Sequence, residues 1–163
     1  MRDIYVVGDA NVDIIVPYPR FLNEERTLVD YPNPELVGGG TSANTAVALA
    51  KLGLPVSFLG TIGDDQYGKY IQKDFKEQGV NTADLIVDPK LNTVGVFAFI
   101  DENGERYLWG WPRVDQAFKV LERDKVPFEK IEAADWVHSS GMSLVYDTSA
   151  VSYTHLTLPT NRE

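Results

Sequence analysis

The chain has no cysteine, so there is no disulfide framework, no thiolate metal site and no cysteine nucleophile. Basic residues are few. Fifteen Lys and Arg stand against 24 Asp and Glu, a net charge of -9, which argues against nucleic acid as main partner because phosphate binding needs clustered cations. There is also no basic segment leading into a long apolar run near Met1, and nothing that approaches a membrane span. A soluble chain of the cytoplasm is expected. What is present is 163 residues with 44% hydrophobic and 11% aromatic content, enough for a sizeable core.

Ile4 to Val7 is a short, β-branched apolar run ending at Gly8, and reads as a buried strand that starts the central sheet. From Asp13 to Val37, prolines at 17, 19, 32 and 34 flank the polar stretch Asn23 to Thr27. They exclude a helix and a central strand, leaving edge strands and loops. Ala43, Ala46, Val47 and Ala50 recur at helical spacing, so 42–52 is a helix with a small-residue face, closed by Gly53. Pro55 to Gly60 reads as a strand, and Asp64 to Gln78 as a helix carrying Tyr67, Tyr70, Ile71 and Phe75, closed by Gly79. Strand, helix, strand, helix implies an α/β fold with a mostly parallel sheet. Thr93 to Ile100 and Glu105 to Trp109, joined by Asp101 to Gly104, form a hairpin that interrupts the alternation. Asp115 to Arg123 reads as helical, Phe128 to Ala133 as a short turn or helix, and Trp136 to Ser139 as a buried strand.

The run Gly38, Gly39, Gly40, Thr41, Ser42, Ala43, Asn44 opens the first helix. Glycines permit close approach of a ligand, and a helix start presents free N–H groups, so a small polar or anionic ligand is expected to dock there. It is neither the dinucleotide fingerprint nor a P-loop, which disfavours nucleotide phosphates at this turn. A glycine turn serving only close helix packing is the alternative. After the first strand, Gly8 to Asp13 offers carboxylates and a carboxamide together, the pairing a polyol needs, though Asp and Asn also form ordinary turns.

Gly39, Gly40, Asn44, Ala46, Gly53 and Gly63 have the spacing of the N-terminal signature of the ribokinase-like (pfkB-type) carbohydrate kinases. Asn11 and Asp13 fall where that family has its first sugar contacts, GTIGDDQYG over 60–68 is typical of it, and Thr93 to Val96 resembles its lid strand. The resemblance runs from about Ile4 to about Leu144. It implies a ribokinase-like fold with a small β-sheet lid from about 13–37 and 92–111. It also implies ATP-dependent phosphorylation of a sugar or sugar-acid hydroxyl, with Mg²⁺. Asp13 would bond sugar hydroxyls, Asn11 and Asn44 would support it, and Gly39, Gly40 and Thr41 would line the substrate. Tyr107 or Trp109 would stack on the sugar or join a homodimer contact through the lid, and Arg106 and Arg113 would meet the carboxylate of a sugar acid. His138 to Gly141 resembles a strand end of keto-sugar-acid and fructose kinases. Thr41 replaces the lysine of some ribose-specific members, which disfavours ribose, and Ser42 departs from the usual small residue there.

Family members are about twice this length, and their Gly-Ala-Gly-Asp segment, with the catalytic aspartate and the ATP site, lies in a C-terminal half. That segment does not occur in this sequence. Residues 1–150 are therefore expected to be the substrate-binding half, holding no cofactor and lacking kinase activity by themselves, with an apolar sheet edge uncovered. A non-catalytic sugar-binding module and a nucleoside kinase of the same family are the alternative functions. Residues 151–163 differ in character, and Val151 to Thr160 resembles the in-frame translation of a transposon-derived adapter used in DNA sequencing libraries. They are read as a non-native tail.

Overall fold

The computed structural model describes residues 3–17 and 33–144. Prolines 19 and 32, the stretch Asn23 to Thr27 and the tail from 145 onward lie outside them. Strand β1 (Ile4–Val7) is the middle of a parallel sheet, flanked by β4 (Val56–Leu59) on one side and β9 (Trp136–Ser139) on the other. Its apolar run is continuous because both faces are covered. Val6 joins Val56 and Phe58 against helix α1 (Thr41–Lys51) and helix α2 (Gln66–Gln78), while Tyr5 and Val7 join Leu59 against Leu121, Val126 and Ile131. Phe58 and Phe75 meet at 4.8 Å between ring centroids, seating α2 on β4.

The two helices follow their sequence signals. In α1, Ala43 and Ala46 are buried, and Gly53 ends the helix with φ 80°. In α2, Ile71 and Phe75 are buried, Asp65 caps the start by accepting the Gly68 N–H at 2.8 Å, and Gly79 is left-handed. Asp65 also accepts the Thr93 N–H at 2.7 Å, and Thr93 Oγ1 accepts the Gly63 N–H at 2.8 Å. That knot holds the start of a second sheet to the parallel body.

The second sheet runs β3 (Glu35–Gly39), β2 (Asn11–Pro17), β7 (Gly95–Ile100), β8 (Arg106–Trp111). β2 pairs antiparallel with β3 and parallel with β7, and β7 pairs antiparallel with β8 across the expected turn, where Gly104 has φ 81°. β5 (Thr61–Gly63) and β6 (Ile86–Asp88) form a small parallel pair.

Three expectations need correction. β2 is internal rather than an edge strand, because Pro17 is its last residue and removes no interior ladder bond. Residues 115–123 do not form a helix: Asp115 has φ 50°, and the bonds Asn92 N–H to Asp115 O and Ala117 N–H to Asn92 O divert the backbone into a bridge, leaving short 3-10 turns at Ala117–Lys119 and Arg123–Lys125. The expected short helix is α3 (Phe128–Glu132). Finally, β9 is a strand but not a buried one. It is outermost among the described strands, and Trp136 and Val137 are 67% and 37% exposed.

Candidate functional site

The carboxyl ends of β1 and β9, the start of β2 and the glycine turn before α1 meet at one end of the parallel sheet, where open α/β sheets place ligands. Asp9, directly after β1, is 6% exposed and fully engaged. Its Oδ2 accepts the Thr41 N–H at 2.8 Å; its Oδ1 accepts the Ser42 N–H at 3.1 Å and the Ser140 hydroxyl at 2.9 Å. The Ala43 N–H goes to the Asp9 carbonyl at 3.1 Å and the Asn44 N–H to the Gly40 carbonyl at 2.9 Å. The first turn of α1 therefore has no N–H left for an anionic ligand. This narrows the expectation of a ligand there: an anion is not held by these N–H groups, because the chain supplies its own, while a polar ligand beside the glycine turn is not excluded by it.

Asp13 is different. It stands mid-strand in β2, half-buried, and its Oδ1 accepts the Asn11 Nδ2–H at 3.0 Å. Burial pushes its carboxyl above the ordinary range, while the Asn11 hydrogen bond and the nearby Arg106 charge pull the other way. Gly39 is opposite Asn11 in the ladder, and a Cβ there would stand 2.6 Å from Asp13 Oδ1. Gly40 has φ 104°, and a Cβ there would stand 2.9 Å from Asn11 Oδ1 and 2.7 Å from the Asp9 carbonyl. Glycine is required at both positions so that the carboxylate and the carboxamide can lie against the turn.

Asn11, Asp13, Gly39 and Gly40 are thus brought together. Asn44 joins Asn11 and Gly39 along a cleft of about 410 Å³ between β3, α1 and α2, whose lining does not include Asp13. Thr41 is exposed at the head of α1, next to Gly40. Tyr107 and Trp109 are not brought to Asp13. In the register Asp13 aligns with Val96 and Gly110, whereas Phe97 aligns with Trp109 and Phe99 with Tyr107, so alternation sends both aromatics to the opposite face. There Trp109 packs edge-on against Phe99 at 5.5 Å, and both Tyr107 and Trp109 remain more than half exposed. Asp9 and Ser140 lie in segments that the sequence singles out, but their pairing with each other and with the start of α1 was not read from it. The signal was an acidic residue immediately after a strand whose chain neighbour in space is a helix start, and only the fold pairs the two.

Among the described residues no group of three or more His, Cys, Asp or Glu can hold a metal ion. Both long helices begin under a carboxylate, Asp9 over α1 and Asp65 over α2. Among the described residues the first turn of α1 is therefore filled by the chain itself rather than held open for a phosphate.

The pattern described for the pfkB family carbohydrate kinases matches residues 1–159, a span that runs into the tail segment as well. The chain belongs to the pfkB carbohydrate kinase family. This family member is 34% identical over 154 residues to the fructokinase of Vibrio alginolyticus, covering 93% of this chain and 45% of that protein. It is 38% identical over 149 residues to the 5-dehydro-2-deoxygluconokinase of Bacillus subtilis, covering 90% and 44%. Its fold matches the crystal structure of the Xylella fastidiosa fructokinase with bound ATP, with a TM-score of 0.77 at 24% identity, over 94% of this chain and 43% of that one. The chain spans about half the length of the curated relatives it matches.

Proposed function

We propose that this pfkB chain is the substrate-binding half of a longer cytoplasmic kinase that transfers the γ-phosphate of ATP to a hydroxyl of a sugar or sugar acid. The observation that carries this is the Asp13 carboxylate. It is half-buried, oriented by Asn11 and set against two obligatory glycines, and it retains acceptor capacity that no described residue fills. An ionised carboxylate accepts from two hydroxyls at once, which suits a diol. Asn11 fixes the carboxylate, and Asn44 with the Gly39, Gly40 and Thr41 backbone lines the rest of the site. The second sheet acts as a lid over the sugar, excluding water from the hydroxyl that reacts. The exposed aromatic row of Tyr107, Trp109 and Trp111 on its other face is suited to a contact between two copies.

ATP and Mg²⁺ belong to the longer protein; in this chain the first turn of α1 is taken by Asp9 rather than left for a phosphate. The bound ATP of the Xylella relative supports the use of ATP by the longer protein. Phosphoryl transfer relies on positioned charge and an oriented nucleophile, so the 163-residue chain alone is inactive. The β9 edge, outermost among the described strands and with Trp136 and Val137 exposed, suits a sheet that continues in the rest of the protein.

The test is to read the gene through codon 150 and onward from source DNA and to assay the encoded protein. A frame that continues into a Gly-Ala-Gly-Asp segment, with ATP-dependent phosphorylation of a hexose or sugar acid, is expected. A downstream half without that aspartate, or phosphorylation of adenosine with no action on sugars, contradicts the proposal.

A further inference from the structure

The turn that joins β7 to β8 carries chemistry that no ligand is needed to set off. Asn103 is followed by Gly104 at the exposed tip of that hairpin, where Gly104 has φ 81° and the space its missing Cβ would take is open. The Asn103 N–H donates to Asp101 Oδ1 at 2.9 Å, but among the described residues its carboxamide has no hydrogen-bond partner. The other asparagines are placed differently. The side chain of Asn11 donates to Asp13, that of Asn81 to Ser57 and that of Asn92 to the Val114 carbonyl, and Asn44 is held within helix α1. Each of the four is followed by a β-branched residue, Val12, Thr82, Thr93 or Thr45, which crowds the next backbone nitrogen, and Asn33 precedes Pro34, which has no N–H. Asn23 and Asn161, outside the described residues, precede Glu24 and Arg162.

We propose that Asn103–Gly104 is a site of spontaneous modification, an intramolecular deamidation that resets the tip of the second sheet as the protein ages. The Gly104 backbone nitrogen gives its proton to solvent base and attacks the Asn103 Cγ. A C–N bond forms, the Cγ–Nδ2 bond breaks, and the amide nitrogen leaves as ammonia, the proton reaching it through solvent, so that a succinimide ring remains. Water then adds to one of the two ring carbonyls, leaving aspartate where Cγ is attacked and isoaspartate where the main-chain carbonyl is. The net change is amide plus water to acid plus ammonia, with nothing oxidised or reduced. Glycine permits the closure because no Cβ stands beside the attacking nitrogen. The Gly104 N–H donates to the Asp101 carbonyl at 3.0 Å, so the reaction proceeds from the moments when that turn bond opens. Either product adds a negative charge to a tip that already holds Asp101, Glu102 and Glu105. Isoaspartate also lengthens the main chain by one bond, which takes the Gly104 N–H out of register with the Asp101 carbonyl. The chemistry is independent of what the Asp13 site binds.

Peptide mapping by mass spectrometry, after the purified 163-residue chain is incubated at mildly alkaline pH in heavy-oxygen water, tests this. Position 103 is expected to take up heavy oxygen and to give isoaspartate at least about 10-fold faster than any other asparagine, and Gly104→Ala should slow it at least about 10-fold. In urea, where the turn bond is open throughout, conversion should run about 3- to 10-fold faster than in plain buffer. An amide at position 103 that outlasts another asparagine, or a Gly104→Ala variant that converts at the parent rate, overturns the inference. Conversion in urea alone, or at one rate in both solvents, also overturns it, because the folded turn is then either closed to the reaction or without hold on it.

Discussion

Asp9 and Asp13 stand four residues apart on the same stretch of chain and have opposite roles. Asp9 is almost inaccessible and takes three hydrogen bonds, from two backbone N–H groups and the Ser140 hydroxyl, so both its oxygens are engaged within the fold and shielded from a ligand. Asp13 is half-buried and takes one, from Asn11, at a position where burial disfavours its charge. The difference is why Asp13, and not Asp9, is the binding group we propose. A buried carboxylate whose acceptors are filled by its own fold is structural, and one held partly desolvated with acceptors to spare is kept that way for something else.

The comparison is broken most forcefully at Asp9. Asp9→Ala leaves two helix N–H groups and a hydroxyl without their acceptor, and should lower unfolding free energy in urea by about 3 kcal/mol or more. A loss under about 1 kcal/mol would mean that water replaces the carboxylate and that α1 needs no internal anion. Next in size is Gly39→Ala, whose methyl would sit 2.6 Å from Asp13 Oδ1 and must push that carboxylate aside. Sugar affinity measured by calorimetry should fall at least about 10-fold, with a stability loss of about 1–3 kcal/mol from overpacking. Unchanged affinity would free the site from the Asp13 position observed here.

Ser140→Ala removes only one of the three donors on Asp9, and a loss of about 1 kcal/mol in the same urea experiment is expected. The smallest effect is a pH dependence. Because the folded-state pKa of Asp13 is raised, the folded chain holds more protons than the unfolded chain between the two values. The Asp13 contribution to stability is therefore greatest below the unfolded pKa and declines as pH rises through the folded one. Asp13→Asn should flatten that part of the stability profile, and an unaltered profile would show that Asp13 is not desolvated enough to matter.

Much of the fold was legible because its signals are local. The apolar run of β1, the alanine face of α1 and the glycine stops at Gly53 and Gly79 each act within one element. The Asn11, Asp13, Gly39 and Gly40 grouping spans β2, β3 and the turn after it, and was legible only through the family resemblance. What was not legible depends on distant chain. Residues 115–123 have helical periodicity, but Asn92 competes for their backbone bonds. Trp136 looks like core, but it stands on a sheet edge with no described strand beyond it. Tyr107 and Trp109 look like sugar-stacking residues, but which face they occupy is set by the register of β7 on β2, which no local pattern encodes.

The most direct test measures binding and stability together in Asp13→Asn, using fructose and 2-keto-3-deoxygluconate as probes. The account predicts that the variant loses affinity for both sugars at least about 10-fold while its urea midpoint at neutral pH stays level or rises, since a desolvated charge has been removed. Retained sugar affinity, or a midpoint that falls as it does in Asp9→Ala, would show that Asp13 is a structural carboxylate like Asp9 and would contradict the central claim.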